Sequence, residues 1–239
     1  MKINFRYPGG KAKIRDKLFE YFPQEGRYYL ELFGGRGNIF FEWVKRSSFH
    51  TYTVADIKTG VFFKALESTN LDTLPNTVTA VEYDYWKGRF LAGDPIAILL
   101  EPVVTFSGKG YSYGYCAGRY NKRKYTALCL EAQAILQRSN VASRTANWAN
   151  YNLDVYDWND FLYLDPPYLD ATLGTGYSEI DHLALMKVLD EAEFMWAISG
   201  YDSELYRTWL GEPTFMVTRN REMTNTPNST EVECLWTNY

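Results

Sequence analysis

Cysteine and histidine are scarce in this chain of 239 residues. Cys116, Cys129 and Cys234 stand singly, no CxxC pair occurs, and the two histidines are His50 and His182. That pattern leaves no ligand set for a zinc centre and no framework for disulfides. No metal is expected, and the cysteines read as small core hydrophobes of a protein in a reducing cytoplasm. No apolar run approaches the roughly 20 residues of a membrane helix, so no membrane association is expected. The basic start MKINFRYPGGKAK lacks the apolar stretch of a secretory signal.

Net positive charge is lacking as well: the total is −4. The distribution matters more than the sum, because a polyanion responds to the nearby field. Residues 1–17 carry six basic side chains against Asp16 alone, a local +5. Residues 106–125 carry Lys109, Arg119, Lys122, Arg123 and Lys124 with no acid, another +5, which leaves −14 on the remainder. The first cluster is equally well a solvated helix face. The second is harder to read as a solvated face alone, since its charges alternate with tyrosines.

With 46% hydrophobic residues the chain can bury one sizeable core, or a core plus a smaller inserted module. KAKIRDKLFEYF (11–22) places Ile14, Leu18, Phe19 and Phe22 on one helical face, and Pro23 ends it. RYYLELF (27–33) reads as a strand entering Gly34-Gly35-Arg36-Gly37, followed by a helix from Asn38. YTVADI (52–57) is a second strand carrying Asp56 at its end. From about Lys58 to Arg144 the period blurs through a Gly- and Tyr-rich stretch, with one plausible helix, LCLEAQAILQRS. Alternation then resumes: DFLYL as strand, HLALMKVLDEAE as helix, FMWAISG as strand, YDSELYRTWLG as helix, and PTFMVT and EVECLWTNY as closing strands. The reading is an α/β domain formed by 1–57 and 145–239, interrupted by a module at 58–144.

In an open α/β sheet, ligands sit at the carboxyl ends of strands. Three features fall there. The turn ELFGGRGN lets backbone approach a ligand closely, and Asn38 and Phe40 stand where a GxGxxG fingerprint wants its last glycine. Asp56 suits the two hydroxyls of a ribose, and serves equally as a helix cap or turn residue. FLYLDPPYLDA ends a buried strand on DPPY. Proline fixes φ and disfavours helical geometry in the residue before it, so Asp165 and Pro166 are held extended. The loop then presents two acceptors, the Asp165 carboxylate and the Pro166 carbonyl, with Tyr168 as a flat face for a base. Two acceptors match an exocyclic NH₂.

These motifs resemble the N6-adenine DNA methyltransferases, the group that includes the orphan DNA adenine methylases of bacteria and phages. RYPGGK (6–11) resembles the family's amino-terminal motif, and ELFGGRGN its Phe-x-Gly-x-Gly turn through Phe33, Gly35 and Gly37. ADI with Asp56 is similar to the second motif, DPPY at 165–168 to the catalytic signature, and EVECLWTNY to the last strand. The order is similar to the α arrangement, in which the insert reads DNA. The resemblance implies a Rossmann-like S-adenosylmethionine-dependent methyltransferase sheet with an inserted, mostly helical DNA-recognition module. It implies S-adenosylmethionine as cofactor and double-stranded DNA as partner, with no obligatory protein partner. By the same resemblance Tyr7 and Lys11 contact the methionine end, Lys11 pairing its carboxylate; Asp56 takes the ribose; Asp154 of NLD meets the adenine. Phe33, Gly35 and Gly37 line the cofactor, and Asp165, Pro166, Pro167 and Tyr168 form the catalytic group, with Asp165 near cofactor and target together. Arg119, Lys122, Arg123 and Lys124 are the expected DNA contacts. The insert is only partly similar to the family's, so no target sequence is carried over.

The chemistry expected is direct methyl transfer to the N6 amino group of an adenine flipped out of the duplex, by positioning and electrostatics without a covalent enzyme intermediate. Three alternatives stay open at this point: the same chemistry on RNA or on a protein glutamine, a catalytically silent DNA-binding relative, and a nicotinamide enzyme. The altered GxGxxG and the lack of a hydride-site His or Tyr-Lys pair speak against the last.

Overall fold

The computed structural model describes residues 1–116, 118–168, 181–220 and 230–239. In chain order the strands are β1 Glu25–Leu32, β2 Ser48–Ala55, β3 Val141–Arg144, β4 Phe161–Leu164, β5 Met195–Tyr201, β6 Phe215–Asn220 and β7 Thr230–Thr237. They form one seven-stranded sheet in the order β3-β2-β1-β4-β5-β7-β6. Strands β1 to β5 pair in parallel, and β7 pairs antiparallel with both β5 and β6. The α/β fold expected from the sequence is the fold observed.

Parallel strands buried on both faces read as continuous apolar runs. All four residues of FLYL in β4 are buried. Because side chains alternate across a strand, Phe161 and Tyr163 join one core with Phe22, Tyr29, Phe40 and Trp43, while Leu162 and Leu164 join another with Leu30, Leu32, Ile198 and Trp236. The sheet is therefore clamped between two apolar layers.

The helices are α1 Arg15–Leu18, α2 Phe40–Val44, α3 Gly60–Ser68, α4 Tyr83–Leu91, α5 Pro95–Val104, α6 Lys122–Leu136, α7 His182–Asp190 and α8 Glu204–Leu210. The helix expected over 11–22 is regular only in α1, although Ile14 and Arg15 both donate to the Lys11 carbonyl. Tertiary demands compete here: the Arg15 guanidinium is buried and donates to the carbonyls of Ile3 and Asn38, each at 2.9 Å.

Within 58–144, β3 pairs with β2 inside the sheet and α3 packs against β3, so the span holds sheet elements as well as added helices. The added part is α4, α5 and the turns leading to α6. Helix α5, PIAILLEPVV, starts with Pro95 after Asp94, whose side chain accepts from Ile96 N at 2.9 Å and Ala97 N at 3.0 Å. Almost uniformly apolar, it carries no stripe, which is why its period is invisible in the sequence.

Candidate active site at the carboxyl edge of the sheet

Strands β2 and β3 lie on one side of β1, and β4 and β5 on the other, so the chain order reverses between β1 and β4. Register pairs Leu32 with Ala55 and with Leu164. The residues that follow each strand, Phe33, Asp56 and Asp165, therefore emerge together at the switch point, where ligands of open α/β sheets bind.

The glycine turn uses the backbone freedom its sequence supplies. Gly35 has φ of 54° and Gly37 of 71°, the left-handed region open to glycine. Phe33 adopts φ of 61° without that freedom, with its ring 6.5 Å from that of Trp148. A Cβ on Gly35 would lie 2.8 Å from the Tyr7 ring, so Tyr7 lies directly against this turn. Asp56 is buried and ties two loops together. Its Oδ2 accepts from Gly35 N at 3.0 Å, and its Oδ1 accepts from Lys58 N at 2.8 Å and Thr59 N at 2.7 Å. Asp56 thus serves as a turn residue ahead of α3, whose N-cap is Thr59.

Asp165 leaves β4 with its side chain 19% exposed. The buried Lys11 ammonium reaches it from the amino-terminal segment, donating to Oδ2 at 2.8 Å. Oδ1 is 2.6 Å from the same nitrogen, at an angle that makes it a charge contact rather than a hydrogen bond. Lys11 also donates to the Gly9 carbonyl at 3.0 Å and lies 3.4 Å from Glu233 of β7. Its ammonium faces the Tyr168 ring at 4.6 Å, and the Tyr168 hydroxyl donates to Glu233 at 2.9 Å. Tyr201, closing β5, meets the Tyr168 ring edge-on at 4.4 Å.

Burial pushes the Asp165 carboxyl up from its ordinary value; Lys11 opposes the shift and Glu233 adds to it. Burial also holds the Tyr168 phenol well above its ordinary value, with the charges of Asp165 and Glu233 acting in the same direction. Glu31 of β1 is buried and pushed well up, although the Tyr29 hydroxyl donates to it at 2.7 Å. His182 at the start of α7 meets the Tyr206 hydroxyl at 3.0 Å and is hydrogen-bonded to the backbone of Pro167, so it braces the DPPY loop from below. Burial lowers its pKa, against the effect of that backbone bond.

The structure thus brings Tyr7, Lys11, Phe33, Gly35, Gly37, Asp56 and Asp165 to Tyr168 around one corner. Asp154 is exposed in the short turn Leu153–Val155 between β3 and β4, its N–H held by the Asn152 side chain at 3.2 Å. Leu169 to Ala171, which complete FLYLDPPYLDA, lie outside the described residues. Arg119, Arg123 and Lys124 are exposed. Lys122 reaches the Asp72 carbonyl at 3.2 Å and Asn76 at 3.3 Å. Lys122 to Lys124 open α6, whose next residue, Tyr125, has its ring 6.2 Å from Phe5, two residues before Tyr7. Sequence reading passed over Glu31, Glu233 and His182 as site residues. Glu233 carried a signal, an acid between the apolar residues of a buried strand, which is costly unless paired.

A buried anion-rich corner, a glycine turn with two glycines at positive φ and an acid at the end of the next strand fit a nucleoside cofactor bearing a positive centre. No curated protein matches the sequence. Solved structures that resemble it in outline include the Pyrococcus horikoshii protein PH1948 (9% identity over 99% of this chain and 84% of that one, TM-score 0.46). M. capricolum TrmK, solved with S-adenosyl-homocysteine, shows 5% identity over 94% of this chain and 67% of that one, with a TM-score of 0.44. The C-terminal domain of precorrin-6Y C5,15-methyltransferase from Rhodobacter capsulatus shows 10% identity over 98% and 92%, with a TM-score of 0.42. Among the described residues no helix is long and apolar enough to cross a membrane. Residues 7–85, from Tyr7 through the glycine turn and Asp56 into the insert, match the family of D12 class N6 adenine-specific DNA methyltransferases.

Proposed function

We propose that this protein transfers a methyl group from S-adenosylmethionine to the N6 amino group of an adenine extruded from duplex DNA. The observation that carries the reading is the Asp165 carboxylate, held by Lys11 at the switch point beside the glycine turn. Phe33, Gly35 and Gly37 would line the cofactor, and Asp56, already oriented by three backbone N–H groups, would face its ribose. When bound, the cofactor supplies an electrophilic methyl on a sulfonium.

The chain's own groups do the rest. The adenine N6 lone pair is conjugated into the ring and is a poor nucleophile. The Asp165 carboxylate and Pro166 carbonyl accept its two N–H bonds and favour the tetrahedral nitrogen whose lone pair can attack. As the N–CH₃ bond forms and the S–CH₃ bond breaks, the surplus proton passes from nitrogen to the Asp165 carboxylate, which burial has made a better proton acceptor. Lys11 is engaged by Asp165, Glu233 and the Gly9 carbonyl, so we assign it to orient the catalytic carboxylate rather than the carboxylate of the cofactor. Tyr168, anchored through Glu233, offers the free part of its ring to the extruded base. Stacking of this kind is worth about 1–3 kcal/mol and offsets part of the flipping cost.

The test is methyl incorporation from radiolabelled cofactor into duplex DNA, RNA and protein, followed by digestion to nucleosides. N6-methyladenine in DNA is expected. Incorporation into RNA or protein alone would overturn the reading of the acceptor while leaving methyl transfer in place.

A further inference from the structure

Between Gly35 and Gly37, both at positive φ, the glycine turn carries a large cation, Arg36. Its side chain is buried, and its partners come from two other parts of the chain. It pairs with Glu101 of α5, itself buried. It also donates to the carbonyl of Arg6 in the amino-terminal segment, and to that of Gly108, after α5, at 3.3 Å. A carboxylate and two carbonyls are all acceptors, and they share a buried space only where one donor serves them together. Gly108 adopts φ of 66°, and a Cβ there would lie 2.6 Å from the Arg6 carbonyl oxygen. Glycine at this position is what lets the two carbonyls converge on one guanidinium. The Tyr7 and Phe62 rings have their centres 5.4 Å and 5.7 Å from the Arg36 guanidinium carbon. Gly35 is held separately, its N–H by Asp56 and its carbonyl by the Thr59 hydroxyl.

We infer that Arg36 is a positioning residue through which the inserted helix α5 and the Gly108 turn set the shape of the cofactor turn. The inference rests on the proposed lining of the cofactor by Gly35 and Gly37. Glycine loses more conformational freedom on ordering than any other residue, so a turn with glycines on both sides of Arg36 binds a ligand weakly unless it is ordered beforehand. Asp56 and Thr59 order its first half from the sheet side. Arg36 orders the centre from the insert side, and Glu101 thereby influences the cofactor without touching it. Arginine suits this task where lysine does not, because a planar fork reaches several acceptors at once and an ammonium is a point donor. The coupling is reciprocal by linkage: a bound cofactor, by fixing the turn, steadies α5 and the Gly108 turn against the domain.

The experiment uses the full chain, with S-adenosyl-homocysteine binding followed by calorimetry and amide hydrogen exchange followed over residues 33–38 and 101–110. Arg36→Met/Glu101→Leu removes both charges, so no buried charge is left unpaired and the melting temperature should stay near that of wild type. Its affinity for S-adenosyl-homocysteine is expected to fall at least about fivefold, the lower end of coupling between sites, and exchange at 33–38 to quicken. In wild type, S-adenosyl-homocysteine should slow exchange at 101–110 as well as at 33–38, and in the double variant only at 33–38. Arg36→Lys keeps the charge and should show the same losses to a smaller extent; it carries the test should the double variant unfold. Wild-type affinity in a folded variant would overturn the inference, as would a loss of affinity with exchange at 33–38 unchanged. Gly35→Ala, whose Cβ would press on the Tyr7 ring, separates the two readings. If it leaves affinity intact, the glycine turn is not the cofactor site, and Arg36's role toward the cofactor falls with that reading.

Discussion

The Asp165 corner and the opening turn of α6 are both charged, and they are built in opposite ways. In the corner, Lys11 and Glu233 are buried and every charge answers a charge of the other sign within 3.4 Å. At α6, Arg123 and Lys124 are exposed, and both sit at the positive end of a helix dipole, where cations are disfavoured. A buried ion cluster is tolerated when geometry compensates for lost hydration. Exposed cations at a helix amino terminus gain nothing from the helix dipole.

That contrast is broken most severely at Lys11. Lys11→Met would leave Asp165 and Glu233 facing each other without their shared cation, and the unfolding free energy is expected to fall by about 3–5 kcal/mol in denaturant titration. A loss below 1 kcal/mol would mean that the cluster is not the buried unit described above. Asp165→Ala keeps Lys11 paired to Glu233, so the fold should survive while single-turnover methyl transfer drops by at least about 10²–10³-fold, the usual effect of removing one group that stabilises the transition state. Surviving activity would remove the carboxylate from the chemistry.

Arg123→Glu/Lys124→Glu should divide function from stability. Duplex binding is expected to weaken and its salt slope to flatten by up to about two. Thermal stability should rise slightly, by about 0.3–1 kcal/mol at low salt, because acids suit that end of a helix. Weaker DNA binding accompanied by a fall in stability would instead make the patch structural. The smallest effect is expected at Glu31. Its folded pKa lies above its unfolded value, so its contribution to stability is fully present below the unfolded carboxylate pKa of about 4.3 and is lost as pH rises toward the folded value. Glu31→Gln should therefore match wild type near pH 4 and become the more stable protein toward pH 8. Parallel melting curves across that range would show Glu31 ionised in the native state.

Much of the sheet could be read in advance because its cues are local. FLYL is apolar throughout and ends at two prolines, so β4 and its exit were visible without partners. The same holds for the glycines at 35 and 37, which occupy the backbone region only glycine enters without strain. Helices α4 and α5 were not visible: one mixes aromatics with charges, and the other is apolar nearly all round, so neither carries the period that marks an amphipathic helix. Strand β3, four residues long, becomes a strand through its pairing with β2.

The order of the chemical motifs, the rigidity of DPPY and the two basic clusters belong to the sequence by itself, since bond geometry and charge need no tertiary context. Which charges meet was decided by the folded structure. Lys11 and Asp165 are 154 residues apart, and Glu233 follows 68 residues later. They share one buried corner because a parallel sheet aligns the carboxyl ends of β1 and β4, and the antiparallel return of β7 carries Glu233 back to the same edge.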